Sequence, residues 1–358
     1  MMFTGLQLFA VMLGRRLQST GKRQLLPLIV AVAATGAVMG IMTGATADDR
    51  AALLPGEVKI RAHDEYVYSI DFSADGKQMV TAAGDNTAAI WQCSDFSLLH
   101  RLPHDDAVYA ADISPRSGMI ATGTGTGVVT LWTGDRGTKV LEKAAHLDAV
   151  YTLQFSADGQ LLATAGGSTD GGDTTCRIWK VPELTLVAEL SGHTRQVYGV
   201  AFAHDSRSLV TAAGDHQIRV WNLQSREHRL LEGHTSDVYR CEFSRDDQFL
   251  ASSSQDGTVR IWNLADGSAS VWTHDRREPF YGVSFSVDQM SVAAVGSDRH
   301  IRIRHRSLQE ERASLRRSHS ALYAVAWSPD GRFLATGRED GDVYLIPVAA
   351  IPDSGVVP

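Results

Sequence analysis

The chain has 358 residues, with 34 Lys and Arg against 41 Asp and Glu, and a formal net charge of −7. The first 47 residues hold Arg15, Arg16, Lys22 and Arg23 and no acid, so removing that +4 leaves −11 for residues 48–358. A part this acidic repels phosphate backbones, which excludes nucleic acid as the expected partner.

Residues 1–47 read as an export signal or membrane anchor. Met1 to Gly14 is apolar but too short to span a bilayer. Leu25 to Met42 is an uncharged run, with basic residues before it and Asp48-Asp49 after it. That asymmetry predicts a hydrophobic helix with its N-terminus in the cytoplasm and the rest of a bacterial-type chain exported to the periplasmic side. Two readings stay open. Ala45-Thr46-Ala47 fits signal-peptidase cleavage after Ala47. Gly36, Gly40 and Gly44 form a small-xxx-small ridge that suits a retained membrane helix.

The next element is residues 57–61 (EVKIR), which reads as a strand with no repeat of its own. Seven related phrases follow: VYSIDF (67–72), VYAADI (108–113), VYTLQF (150–155), VYGVAF (197–202), VYRCEF (238–243), FYGVSF (280–285) and LYAVAW (322–327). Each is rich in β-branched and aromatic residues and predicts a strand. Their tyrosines, Tyr68, Tyr109, Tyr151, Tyr198, Tyr239, Tyr281 and Tyr323, recur every 41–47 residues. That is the period of a four-stranded propeller blade. Ile70 and Phe72 keep a strand's two-residue period, whereas Val67 lies three residues before Ile70. The extra residue predicts a β-bulge at each tyrosine. Turns such as Ala74-Asp75-Gly76 and Pro329-Asp330-Gly331 lead into second strands. Third strands end in Trp91, Trp132, Trp179, Trp221 and Trp262.

Over roughly residues 56–348 the sequence resembles the WD40-repeat family. The resemblance implies hydrogen-bonded sets of His, Ser/Thr, Asp and Trp within the blades. Four blades carry the whole set: His63, Thr81, Asp85 and Trp91; His146, Thr164, Asp173 and Trp179; His193, Thr211, Asp215 and Trp221; His234, Ser252, Asp256 and Trp262. The second repeat has His104, Thr122 and Trp132 but Thr126 for the aspartate. The sixth keeps Asp298, with His274 as the candidate histidine, but has Ala294 and Arg304. The seventh has His319, Thr336 and Asp340 but Ile346 for the tryptophan. The sixth departs most and is expected to be the loosest. Residues 168–172 (STDGG) are an insertion in the third repeat.

The expected fold is all-β: a seven-bladed propeller of four-stranded blades over 48–350, closed by 57–61 pairing with the last repeat, which removes a free edge. Residues 351–358 read as a loose tail.

Histidines and aspartates placed this regularly read as internal networks rather than a metal or catalytic site. No cofactor is expected, and the cysteines Cys93, Cys176 and Cys241 read as structural: an odd count makes no disulfide framework. Arg276-Arg277 and Arg316-Arg317 read either as a local basic patch or, more simply, as solvated loop charges. The repeated tyrosine is the candidate binding feature. Small residues nearby (Ala107, Ala149, Ala321, Gly84, Gly172, Gly214) are expected to leave the rings exposed. The alternative is a structural girdle, with each ring packed on the next blade. The expected function is a non-catalytic scaffold binding a protein or peptide, with Asp64, Asp105, Asp106 and Asp148 steering a basic partner. A small-molecule binder or enzyme at the channel mouth, taking a sugar or aromatic ligand, is the alternative.

Overall fold

The computed structural model describes residues 53–168, 172–274, 276–307, 311–316, 319–351 and 356–357. Residues 1–47, with the export role, helix and cleavage site expected of them, and the centre of the 168–172 insertion lie outside these residues. No helix of the described residues is long and apolar enough to cross a membrane.

The repeats fold as seven antiparallel blades arranged as a propeller. Their innermost strands are Val67–Phe72, Val108–Ile113, Val150–Phe155, Val197–Phe202, Val238–Phe243, Phe280–Phe285 and Leu322–Trp327. In blade one, Val67 pairs with Ala83 but Ser69 pairs with Ala82, so one residue, Tyr68, is extra. The same shift crosses the tyrosine in all seven blades. The bulge lets Val67, Ile70 and Phe72 all be buried in spite of their odd spacing.

Among the described residues the apolar core divides into seven clusters, one in each seam between adjacent blades. In the seam between blades seven and one, Val67, Phe72 and Met79 pack on Ala335, Val343 and Leu345. No blade buries its faces alone, so stability rests on closing the ring.

Closure follows the expected route. Val58–Arg61 pairs antiparallel with Asp342–Pro347, Val58 opposite Leu345 and Arg61 opposite Asp342. An ion pair of 2.8 Å between Lys59 and Asp342 fixes the register.

The loose tail needs correcting. Ile351 is buried in the seam between blades six and seven. Val356–Val357 adds a short parallel strand to the outer edge of blade six, pairing with Ser314 and Leu315. The reason is the open edge: the outer strand Glu311–Arg316 leaves backbone groups unpaired, and two β-branched residues suit pairing with them.

The strand turns explain several aspartates. Ser73 Oγ donates to Asp75 at 2.8 Å, and Gly76 supplies the left-handed turn at φ 67°. Asp158 and Asp330 accept from Ser156 and Ser328 in the same way.

Candidate functional site

The polar sets assemble as the repeat pattern predicts. In blade four Trp221 Nε1 donates to Thr211 Oγ1 at 2.9 Å, and Thr211 Oγ1 lies 2.7 Å from His193 Nε2. Tryptophan only donates, so the hydroxyl proton goes to His193 Nε2, and Nδ1–H is left for Asp215 at 2.9 Å. Blades one, three and five repeat this geometry. Burial raises Asp215, but the bonds from His193 and backbone outweigh it and hold the carboxyl at about 2. Burial likewise pushes His63, His193 and His234 down, against the pull of their aspartates. These groups are consumed by the blades and have no free valence for catalysis.

Where residues of the set are missing, partners are lost. In blade two Trp132 still donates to Thr122 at 2.9 Å, but His104 Nε2 is buried without a hydrogen bond. Burial pushes His104 down to about 4. In blade seven Ile346 replaces the tryptophan, and Thr336 Oγ1 has no hydrogen-bond partner. Blade six keeps His274 Nε2 at 3.2 Å from Asp298.

An arginine is a further member that the family pattern did not supply. Arg177, Arg219 and Arg302, four residues after the network aspartates, pair with Asp173, Asp215 and Asp298. Blade one has Ala89 there, and Arg101 from the adjacent strand, opposite Ala89, takes the role by donating to Ala62 O at 2.8 Å. The four-residue spacing was visible in the sequence as a signal.

All seven repeated tyrosines meet. Consecutive ring centroids lie 5.0, 5.4, 5.3, 5.4, 5.5 and 5.0 Å apart from Tyr68 to Tyr323, and Tyr323 closes on Tyr68 at 6.1 Å. Each is half-buried. Tyr66, outside the repeat register, stacks on Tyr68 at 5.9 Å and donates to Glu339 at 3.2 Å. The small neighbours do not leave the rings bare. A Cβ on Gly84, Gly125 or Gly214 would stand 3.5, 3.2 or 3.3 Å from the ring of Tyr68, Tyr109 or Tyr198, so the glycines are the surface on which these rings pack. The circle is therefore a packed girdle with an outward face. Burial pushes Tyr281 up to about 12, and Tyr198, Tyr239 and Tyr323 further still, so the phenols stay neutral. Around the circle, Asp64 and Asp105 are exposed and Asp106 and Asp148 half-buried. Leu147, beside Asp148, is 88 % exposed.

Beneath the tyrosines runs a channel of about 430 Å³. The residues just after the tyrosines are Ser69, Ala110, Thr152, Gly199, Arg240, Gly282 and Ala324. Among these small residues Arg240 reaches from blade five to donate to Tyr198 O at 3.1 Å and Tyr68 O at 3.2 Å. Two residues further along lie Asp71, Asp112, Gln154 and Glu242. Each accepts a backbone N–H of the next blade, from Ile113, Phe155, Phe202 and Phe285, at 2.6–3.1 Å. Burial pushes Asp71 up to about 6 and Glu242 to about 7. Burial and the neighbouring Asp71 push Asp112 up as well, so the two carboxyls share a proton. These channel residues escaped the sequence reading, although one cation and three acids in two otherwise small or neutral registers were the signal.

Cys93, Cys176 and Cys241 are buried free thiols. Among the described residues no three His, Cys, Asp or Glu are grouped to hold a metal ion.

A family model described as "WD domain, G-beta repeat" matches residues 57–92, 96–133, 137–180, 184–222, 225–263 and 310–346, well over half the chain. These stretches leave out the core strands of blade six. The mouse protein named "Target of rapamycin complex subunit LST8" is 39 % identical over 61 residues, 17 % of this chain and 18 % of its own length. The "Protein LST8 homolog" of Drosophila pseudoobscura pseudoobscura is 46 % identical over 39 residues, 11 % of this chain and 12 % of its own length. The similarity thus spans less than a fifth of either relative.

Proposed function

This chain belongs to the WD40-repeat family, and on that premise we propose that it is a non-catalytic scaffold holding a protein or peptide on its tyrosine-lined face. WD40 propellers are usually non-catalytic, and WD40 domains bind proteins. The observation that carries the reading is the closed circle of seven half-buried tyrosines. Rings already packed on one another lose little side-chain entropy when covered, and each offers an apolar edge and a neutral hydroxyl. The exposed acids Asp64 and Asp105 suit a partner with basic residues. The mouse relative is named as a subunit of a complex, which supports a role as one component among several and names no partner for this chain. The charge asymmetry around residues 25–42 supports placing the propeller on the far side of the cytoplasmic membrane. Sequencing the N-terminus of the purified protein distinguishes cleavage after Ala47 from a retained anchor.

A second reading, a small-molecule site in the channel, is favoured by the three carboxyls that line it. In-cell photo-crosslinking separates the two. A crosslinker replaces Leu147 on the tyrosine face, or Arg245 at the channel's other end. The scaffold reading expects one protein trapped from position 147 and lost in a folded Tyr109→Ala/Tyr198→Ala variant. Trapping from position 245 alone, or capture unchanged by the tyrosine substitutions, overturns it.

A further inference from the structure

Blade six breaks the repeat on the tyrosine face. Blades one to five run five residues from the network histidine to the tyrosine, whereas His274 to Tyr281 is seven, and the longer loop carries Arg276 and Arg277. Beside this loop lies a pocket of about 480 Å³, walled by Arg276, Arg299, Arg302 and Arg316 with His300 and Ser297. The lining also includes the carboxylates Glu278 and Asp298.

Asp298 is spent inside the blade. Its Oδ2 accepts from Arg302 Nε at 2.7 Å and from His274 Nε2–H at 3.2 Å, and its Oδ1 accepts from His300 N at 3.1 Å. His274 Nδ1 accepts the backbone N–H of Arg276 at 3.1 Å, which leaves the proton on Nε2 and fixes the base of the loop. Arg302 thus neutralises Asp298. Arg276, Arg299 and Arg316 are exposed and have no ion-pair partner among the described residues. Ser297 Oγ is buried in the same wall with no hydrogen-bond partner. Solvated loop charges, the simpler sequence reading, do not produce a concave site with an orphaned buried hydroxyl at its wall. Arg317 lies outside the described residues and plays no part.

We propose that this blade-six pocket binds a phosphorylated ligand. Three guanidinium groups without an ion-pair partner among the described residues exceed what a single carboxylate can satisfy, whereas a phosphate dianion offers three acceptor oxygens to planar donor forks. The serine hydroxyl adds a fourth donor. A volume of about 480 Å³ holds the phosphate together with the group that carries it. The site is set by this blade alone and stands whether or not the tyrosine circle is a docking face.

The test is thermal melting of the full chain against increasing inorganic phosphate, with sodium chloride adjusted to constant ionic strength. The wild type and a control, Arg207→Ala at an exposed turn of blade four, are expected to gain Tm with phosphate. The Arg276→Ala/Arg299→Ala variant is expected to bind phosphate about tenfold or more weakly. Both side chains are exposed, so this variant should fold; if it does not, each single substitution is expected to show part of the loss. A Tm rise that is equal in the variant, or absent from the wild type, overturns the proposal. A phosphoserine peptide that binds more tightly than phosphate assigns the ligand to a modified protein, and the reverse order assigns it to a small phosphorylated molecule.

Discussion

Thr211 has two buried groups depending on one hydroxyl: Trp221 Nε1 at 2.9 Å and His193 Nε2 at 2.7 Å. Thr211→Val keeps the shape and strands both. Stranded buried polar groups cost about 1–3 kcal/mol each, so the variant should lose about 2–6 kcal/mol in denaturant titration. Blade seven supplies the control. Thr336 Oγ1 has no partner there, and Thr336→Val should be neutral or slightly stabilising. Equal losses at the two sites would contradict the assigned network. At this scale the histidines, hydroxyls, aspartates and tryptophans were legible because each recurs in register. Arg101 was not, because its role passes between adjacent strands in one blade only.

The strand Val58–Arg61 illustrates the element scale. Alone it is four residues with alternating half-burial, too short to be stable. Its value lies in covering Asp342–Pro347, which would otherwise be a free edge. Deleting residues 48–62 should therefore loosen blade seven as a whole. Hydrogen exchange is the readout, and protection in 342–347 is expected to fall by about tenfold or more while blades three and four change little. Unchanged protection would show the strand to be dispensable. The bulges and this closure were readable from spacing. The strand at Val356–Val357 was not, since two valines among proline and glycine give no periodicity, and the open edge they fill belongs to a different blade.

Across the whole ring, the channel acids act together. The Glu242 carboxyl is pushed up from 4.5 to about 7 by burial. Between those values the folded chain holds a proton that the unfolded chain has released, so stability falls as pH rises through this window and the penalty is complete above it. Glu242→Gln keeps an acceptor for Phe285 N–H and removes the penalty. Its stability advantage over wild type should be negligible near pH 4 and reach about 2–4 kcal/mol at pH 8. The depressed histidines His63, His193 and His234 work in the opposite sense, losing stability as pH falls below 6.5, but they are common to both proteins and cancel in the difference. An advantage that does not grow with pH would place the Glu242 carboxylate in an ionised, solvated state.

The sequence by itself determined the number of blades, the bulge at each tyrosine, the four complete hydrogen-bond sets and the closing strand. Each follows from a period or a local spacing that strand geometry makes compulsory. The tertiary structure decided what lies across the ring. Arg240 reaches Tyr68 across 172 residues of chain, Asp71 shares a proton with Asp112, and the seven rings touch. A period fixes which residues share a register, but the distance between registers exists only once the ring has closed. The same holds for charge: Arg276, Arg299 and Arg316 are scattered basic residues in an acidic chain until blade six folds them around one pocket.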